Sequence, residues 1–405
     1  MGAKSTVSIR KTKSDEYECI AEAVHEVIKD IGGLDDVIKL GYKVIIKPNM
    51  VAVPVSRCSG AVTRWEVCLA VYKEVESIGG IPVIAESASV GADTEDVILM
   101  CGYRDLRDSG VRVVDLKSRK PDENGQMPAG YRCTVEVPDG KIAHEILTWE
   151  LVRDADAIIT VPVMKTHDQT EITLGMKNLK GLMRDNCKKR FHFDGLTESV
   201  VDLNTVFRPC VEIVDGTFAA EGIGPVFGDT KRMDLLIGSK DIVACEAVTG
   251  KIMGYEPEEV PITVVAAKRG LGTMELSEIE TVGERIEDVE ERFVRCSETK
   301  IEGIADSFNI VSGSETCTGC RNTIVSILME MKEKGFLKYT EDLTIISGSP
   351  EDIDEDLLKG EVVCVGECTK KYAAQNGYRC AAGCPPRNDL IVKEILNGRE
   401  AYNCE

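Results

Sequence analysis

The feature that most constrains this chain is a series of short, mainly apolar runs, each closed by proline, glycine or a polar motif. Tyr42–Pro48, Ile81–Ala85, Ala157–Val163, Val211–Val214 and Ile262–Ala266 all read this way. Runs of this length without polar alternation are the pattern of strands buried on both faces. Between two of them, Arg64–Ser77 places Trp65, Cys68, Leu69, Tyr72 and Val75 at helical spacing and stops at Gly79-Gly80. Strand–helix alternation of this kind predicts an α/β fold: an open parallel or mixed sheet with flanking helices. Ser118–Gly140, polar and rich in glycine and proline, followed by Lys141–Leu147, reads as a hairpin or loop insertion. The glutamate-rich Glu284–Glu291 reads as a solvated helix face near a boundary.

A chain of 405 residues exceeds one ordinary core. The division expected is an α/β domain over 1–300 and a small cysteine-rich α/β domain over 301–405. In the second, Arg321–Lys334 sets Ile324, Ile327, Leu328 and Met331 on one helical face before Gly335. Leu343–Gly348 and Glu361–Gly366 read as strands, and Asp389–Leu396 as a last helix.

Of 16 cysteines, nine are scattered singly through the first three hundred residues, several in apolar runs that suit a small buried hydrophobe. Seven fall between Cys317 and the C-terminus, including the groups Cys317-Thr-Gly-Cys320, Cys364-Val-Gly-Glu-Cys368 and Cys380-Ala-Ala-Gly-Cys384-Pro-Pro. Close pairs in glycine-containing turns supply thiolates and leave backbone N–H groups free for bridging sulfides. Cys320 opens a helix, whose N-terminal dipole favours a thiolate. Cys317, Cys320, Cys368 and Cys384 are therefore the expected ligands of one 4Fe-4S cluster, and Cys364, inside an apolar strand, is a core residue. Tetrahedral zinc is the rival, although a zinc ribbon repeats CxxC and the later spacings here are three residues.

The balance of 69 acidic against 49 basic residues gives a formal charge of −20. That field repels nucleic-acid phosphate and anionic lipid, so neither is expected as a partner. With no apolar leader and no stretch near the ~20 apolar residues that cross a bilayer, the expected location is the cytoplasm.

Four groups of motifs carry a family resemblance. They are Lys47-Pro-Asn-Met50; Gly80–Ser87; Val161–His167 running on to Met176–Gly181; and Ile213–Gly216 with Glu221–Pro225 and Gly238–Ala244. In this order, across roughly 40–250, they resemble the domain of unknown function 362 family, members of which often contain iron–sulfur clusters. The C-terminal cysteines depart from a two-cluster ferredoxin layout. The family's name implies no reaction.

In an open parallel sheet, ligands sit beyond the carboxyl ends of the strands. Most of these motifs follow a strand, so one edge should gather Lys47, Asn49, Glu86, Lys165, His167, Lys177, Asn178, Lys180, His192 and Asp215. Within an acidic protein this edge is cationic. Lys165 and His167, on the same side of an extended strand, are the candidate acid/base or electrostatic pair. The others are candidates for binding a small carboxylate or phosphate, and Glu86 and Asp215 also fit as helix caps or partners of the lysines. No nucleotide-binding fingerprint follows a strand. The leading expectation is an anaerobic-type oxidoreductase acting on a small anion beside the cluster, with an electron-transfer partner. A cluster-dependent dehydratase or lyase, and a non-catalytic electron carrier or cluster scaffold, are the alternatives.

Overall fold

A computed structural model describes residues 4–90, 92–121, 125–298, 308–312, 318–348 and 353–398. The strands are β1 (Ser5–Lys11), β2 (Lys43–Pro48), β3 (Ile81–Glu86), β4 (Val113–Asp115), β5 (Arg132–Glu136), β6 (Glu145–Trp149), β7 (Ala157–Val161), β8 (Val163–His167), β9 (Glu171–Thr173), β10 (Val211–Ile223), β11 (Phe227–Lys231), β12 (Leu235–Ser239) and β13 (Ile279–Gly283). The central sheet runs β13-β1-β12-β10-β7-β2-β3-β4. From β10 to β4 it is parallel, while β12 is antiparallel to both its neighbours. It is therefore a mixed sheet with flanking helices.

The two-sided burial follows from the apolar runs. Val44 and Ile46 pack with Ile20, Val24, Val67 and Val71 of helices Tyr17–Asp30 and Trp65–Ser77 on one face. Ile45, between them, packs on the other face with Val83, Ile158, Val200 and Leu203. Arg132–Trp149 forms the expected hairpin. Its turn is fixed by buried Asp202, whose carboxylate accepts from the N–H groups of Lys141, Ile142 and Ala143 at 2.9, 2.8 and 2.8 Å.

Three readings are corrected. Ile262–Ala266 lies in a helix, Pro261–Lys268, because Pro261 occupies the first helical position and a short apolar run has no period of its own to oppose it. The run Ala157–Val163 is two strands, divided at Pro162. Glu284–Glu291 holds only a four-residue helix, Ile286–Val289.

A second, four-stranded parallel sheet, β14 (Phe308–Ser312), β15 (Leu343–Ser347), β16 (Glu361–Val365) and β17 (Arg379–Ala381), follows. Helices Thr318–Glu333 and Asn388–Leu396 bury Ile324, Ile327, Leu328, Ile391 and Ile395 against Ile345, Val363 and Val365. Among the described residues no helix is long and apolar enough to cross a membrane.

Candidate functional site

The carboxyl ends of β2, β3 and β8 open on one cavity of about 700 Å³. A short helix, Gly175–Asn178, and the turn Leu179–Leu182 supply Lys177, Asn178 and Lys180 to its wall. The second unit contributes Ser326, Glu330 and Lys334 from helix Thr318–Glu333, and Arg387, Asn388 and Asp389 from the turn and first residues of helix Asn388–Leu396. Eight cationic side chains and five carboxylates line it, so the cavity is net cationic in a chain of charge −20.

At its base the Lys47 ammonium, 1% exposed, donates to Glu86 Oε2 at 2.7 Å, to Asn178 Oδ1 at 3.2 Å and to its neighbour's carbonyl at Pro48. Asn178 returns its amide to Lys47 O and Thr160 Oγ1, cross-bracing β2 to β7. A Cβ on Gly181 would stand 1.9 Å from Glu86 Oε1 and 2.5 Å from Lys47 Cε, so only glycine lets the turn close over this pair. Burial lowers the Lys47 pKa, and Glu86 opposes that shift.

Lys165, fully buried, donates to Asn49 Oδ1, Ala61 O and Pro225 O at 3.1, 2.6 and 3.1 Å. Desolvation and then the Lys177 charge push its pKa well down, while three oxygen acceptors match the three protons of an ammonium. His167 is also buried; its Nε2 lies 2.6 Å from Lys177 Nζ, and its Nδ1 accepts from the Gln169 N–H at 2.9 Å. Lys180 Nζ meets His192 Nε2 at 2.8 Å. Both histidines are held neutral, first by desolvation and then by these lysines. Lys177 and Lys180 are half-buried, and desolvation is the first cause that lowers the pKa of each, to about 8 for Lys177. The buried atoms Asp168 Oδ1, Gln169 Oε1, Thr173 Oγ1 and His192 Nδ1 on this wall have no hydrogen-bond partner among the described residues. Such atoms are polar capacity for a ligand.

The structure thus gathers Lys47, Asn49, Glu86, Lys165, His167, Lys177, Asn178, Lys180 and His192. Asp215 lies apart. It accepts from the N–H of Arg64 at 2.8 Å and from Thr217 N and Oγ1 at 3.0 and 2.6 Å, anchoring the start of helix Trp65–Ser77. Its strand, β10, continues past it instead of ending there.

Asp168, Lys188 and Arg387 are among the cavity residues that sequence reasoning missed. Asp168 follows His167 directly and approaches its Nδ1 to 2.9 Å. Lys188 is buried on Ser87 O, Ser87 Oγ and Ala88 O, each at 2.7 Å, and desolvation lowers its pKa to about 8. Arg387 follows the Cys384-Pro-Pro turn. Adjacency to His167 was the available signal for Asp168; the other two come from folding alone.

Among the candidate ligands, Cys317 lies outside the described residues. Cys320 is buried in the first turn of its helix, and Cys368 and Cys384 are exposed. The Sγ atoms of Cys320 and Cys368 flank one point, 3.1 and 3.3 Å from where a Cβ on Gly366 would stand. The Cys384 turn joins them through Glu367 N–H to Gly383 O at 2.8 Å, and its own N–H donates to His192 O at 3.1 Å. Cys364 is fully buried, with its thiol pushed up to about 12 by desolvation and then Cys380. Among the described residues no group of three or more His, Cys, Asp or Glu is arranged to hold a metal ion.

Comparison with known proteins adds three findings. The thylakoid-associated protein sll1697 of Synechocystis sp. is 28% identical over 275 residues, covering 66% of this chain and 80% of that protein. The lactate racemase apoprotein from Thermoanaerobacterium thermosaccharolyticum aligns over 98% of this chain and 91% of its own, at 11% identity and a TM-score of 0.40. That likeness is too loose to carry an argument. The family model described as Domain of unknown function (DUF362) matches residues 44–251, from β2 to the helix Ile242–Ile252, just over half of the 405 residues. The chain belongs to that family.

Proposed function

We propose that this protein is an iron–sulfur oxidoreductase that acts on a small carboxylate or phosphate held in the cationic cavity, beside one 4Fe-4S cluster. The observation that carries the reading is the shared construction of the two sites. The turn bearing Cys384 hydrogen-bonds His192 of the cavity wall and supplies Arg387 to it. The helix opened by Cys320 reaches the loop after His167, where Gln169 Nε2 donates to Thr323 Oγ1 at 2.9 Å.

The residues suit the group. Two thiols flank the side-chain-free Gly366, one of them at a helix N-terminus, and soft thiolates are the usual ligands of iron–sulfur clusters. Cys317, Cys320, Cys368 and Cys384 would hold it, while the protonated, core-packed Cys364 would not. When bound, such a cluster supplies one-electron transfer. A non-catalytic carrier needs no cavity of substrate size beside its cysteines, and this chain has one.

The protein's own groups bind and orient the anion. Lys165 sits on three oxygen acceptors at the cavity base, Lys177 and Lys180 offer N–H donors, and the C-terminal unit adds Ser326, Arg387 and Asn388 to the lining. His167 and Lys177 exchange the proton that accompanies electron transfer.

Anaerobically purified protein should carry about four irons and four labile sulfides per chain and a visible absorption that bleaches on reduction. Stoichiometric zinc without sulfide overturns the cluster. Phosphate binding that survives Lys180→Met and Lys165→Met unchanged overturns the cavity.

A further inference from the structure

We propose that Glu212 and Glu246 are positioning residues of the cavity: their buried carboxyl groups clamp the first two N–H groups of the helix Gly175–Asn178 and so set where Lys177 and Asn178 stand. That helix can do little for itself. Its four residues make a single turn, with the Asn178 N–H on Leu174 O at 2.9 Å. A lone turn fixes several dihedrals for very few hydrogen bonds, so it forms only where tertiary contacts hold it. Its first N–H groups have no partner inside the helix.

Two side chains from elsewhere in the chain take those groups. The Gly175 N–H donates to Glu212 Oε1 and the Met176 N–H to Glu246 Oε1, both at 2.7 Å. Glu212 comes from β10 and is fully buried, and Glu246 comes from helix Ile242–Ile252 and is 3% exposed. Asn204 of helix Leu196–Val206 donates to Met176 O at 3.0 Å, so three elements grip one turn. Gly175 belongs to the fit, since a Cβ there would stand 2.5 Å from Glu212 Oε1. Burial, and then the charge of Glu246, pushes the Glu212 pKa well up, and burial raises that of Glu246 to about 7. The pair therefore keeps a proton at neutral pH, and a protonated carboxyl still accepts through its carbonyl oxygen. Two acids kept out of water at such cost point to a task other than charge.

What the clamp delivers lies on the next two residues. Asn178 Oδ1 accepts from Lys47 Nζ and Asn49 Nδ2, each at 3.2 Å, and Lys177 Nζ reaches His167 Nε2 at 2.6 Å. Lys180 follows in the turn Leu179–Leu182. Neither glutamate lines the cavity, so both act through the backbone. The Lys177 amine reports its own seat: burial lowers its pKa, Asp168 opposes that shift, Lys165 and Lys180 are its cationic neighbours, and Glu330 and Lys334 line the same cavity. The use of that seat for an anion rests on the cavity being the substrate site, whereas the clamp itself does not.

Acetic anhydride labelling, resolved peptide by peptide by mass spectrometry across pH, follows the Lys177 amine without a ligand, and calorimetry follows phosphate. In the wild type Lys177 should titrate at about 8. In Gly175→Ala, whose methyl group displaces the Glu212 carboxyl, and in Glu212→Leu and Glu246→Leu, it should climb toward the ordinary lysine value of about 10. Phosphate should bind those variants at least about tenfold more weakly, the scale of a misplaced contact. Glu212→Gln keeps a carbonyl acceptor for the Gly175 N–H and should leave both readouts at their wild-type values. Fluorescence of Trp65 and Trp149 checks that each variant is folded. A folded Gly175→Ala or Glu212→Leu with the wild-type Lys177 titration, or a Glu212→Gln as displaced as Glu212→Leu, overturns the clamp. A wild type that leaves phosphate unbound overturns the anion site alone, and the Lys177 titration still decides the clamp.

Discussion

Replacing Glu86 tests whether the cavity floor is a charged pair removed from water. Its carboxylate accepts from Lys47 Nζ at 2.7 Å, Met50 N at 3.0 Å and Ser87 N at 2.7 Å, with both side chains of the ion pair almost fully buried. Glu86→Ala leaves the Lys47 ammonium with only Pro48 O and Asn178 Oδ1 and strands the Met50 N–H, while the Ser87 N–H keeps Gly181 O at 2.9 Å. Removing one partner of a buried pair costs about 3–5 kcal/mol. Glu86→Gln keeps one carbonyl oxygen for the lysine and should cost about 1–3 kcal/mol. Both tryptophans, Trp65 and Trp149, belong to the larger sheet's unit, so fluorescence-detected urea unfolding reads this half of the chain. With a slope of about 1–3 kcal/mol per M, the alanine variant's midpoint should fall by at least about 1 M. The sign of the pH response is also fixed. Burial lowers the folded-state pKa of Lys47, and loss of Glu86 lowers it further, whereas the unfolded lysine holds its proton to about pH 10. Between those values the unfolded chain binds more protons, so the variant's stability should recover as pH rises toward 10. A loss under about 1 kcal/mol, or a deficit that does not shrink at high pH, refutes a buried, charged Lys47–Glu86 pair.

Gly366→Ala should lower the iron and sulfide content of anaerobically purified protein, because the new Cβ would stand 3.1 and 3.3 Å from two thiols at a φ of 114°. Full iron content in that variant would remove Cys320 or Cys368 from the ligand set. Cys364→Ala should retain the iron and cost about 1 kcal/mol in thermal stability, since it deletes one buried heavy atom from the smaller core. Phosphate affinity measured by calorimetry should fall as pH rises through about 8, where Lys177 gives up its charge, with a limiting slope of about tenfold per pH unit. In Lys177→Met that step should vanish; a step of the same size there would assign the titration elsewhere.

The fold was legible where residues had no alternative. Val44-Ile45-Ile46 alternates between two cores, and only a strand buried on both faces accommodates that. Ile262–Ala266 is equally apolar and is a helix, because a run of this length meets either period and the decision lies in Pro261 and in packing against helix Leu196–Val206. The strand-end rule found Lys47, Glu86, Lys165 and His167, since a parallel strand delivers the residues after its carboxyl end to one edge. It erred at Asp215 for the same reason in reverse: β10 does not end there, so Asp215 stays inside the sheet layer. Lys188 and Arg387 were beyond reach because their positions depend on a helix crossing and on a turn from the second unit.

The arrangement explains why lysines that would be solvated on most acidic proteins are kept out of water here. Each buried ammonium is costly alone, and this site offsets the cost in different ways. Lys47 has a carboxylate, Lys165 a set of neutral oxygens, Lys188 neutral oxygens together with the Asp185 carboxylate at 3.3 Å, and Lys177 and Lys180 have imidazoles. Only the last two keep N–H groups turned to the cavity without an anion bound to them. On the proposed reading, a carboxylate or phosphate entering there would supply what the protein leaves out: negative charge beside two half-buried lysines, and hydrogen-bond partners for Gln169, Thr173 and His192. The smaller unit lines that space while holding Cys320 and Cys384 earlier along the same helix and turn. On that reading, contact with the anion and retention of the cysteine geometry would depend on one interface, through Thr323 to Gln169 and Cys384 to His192.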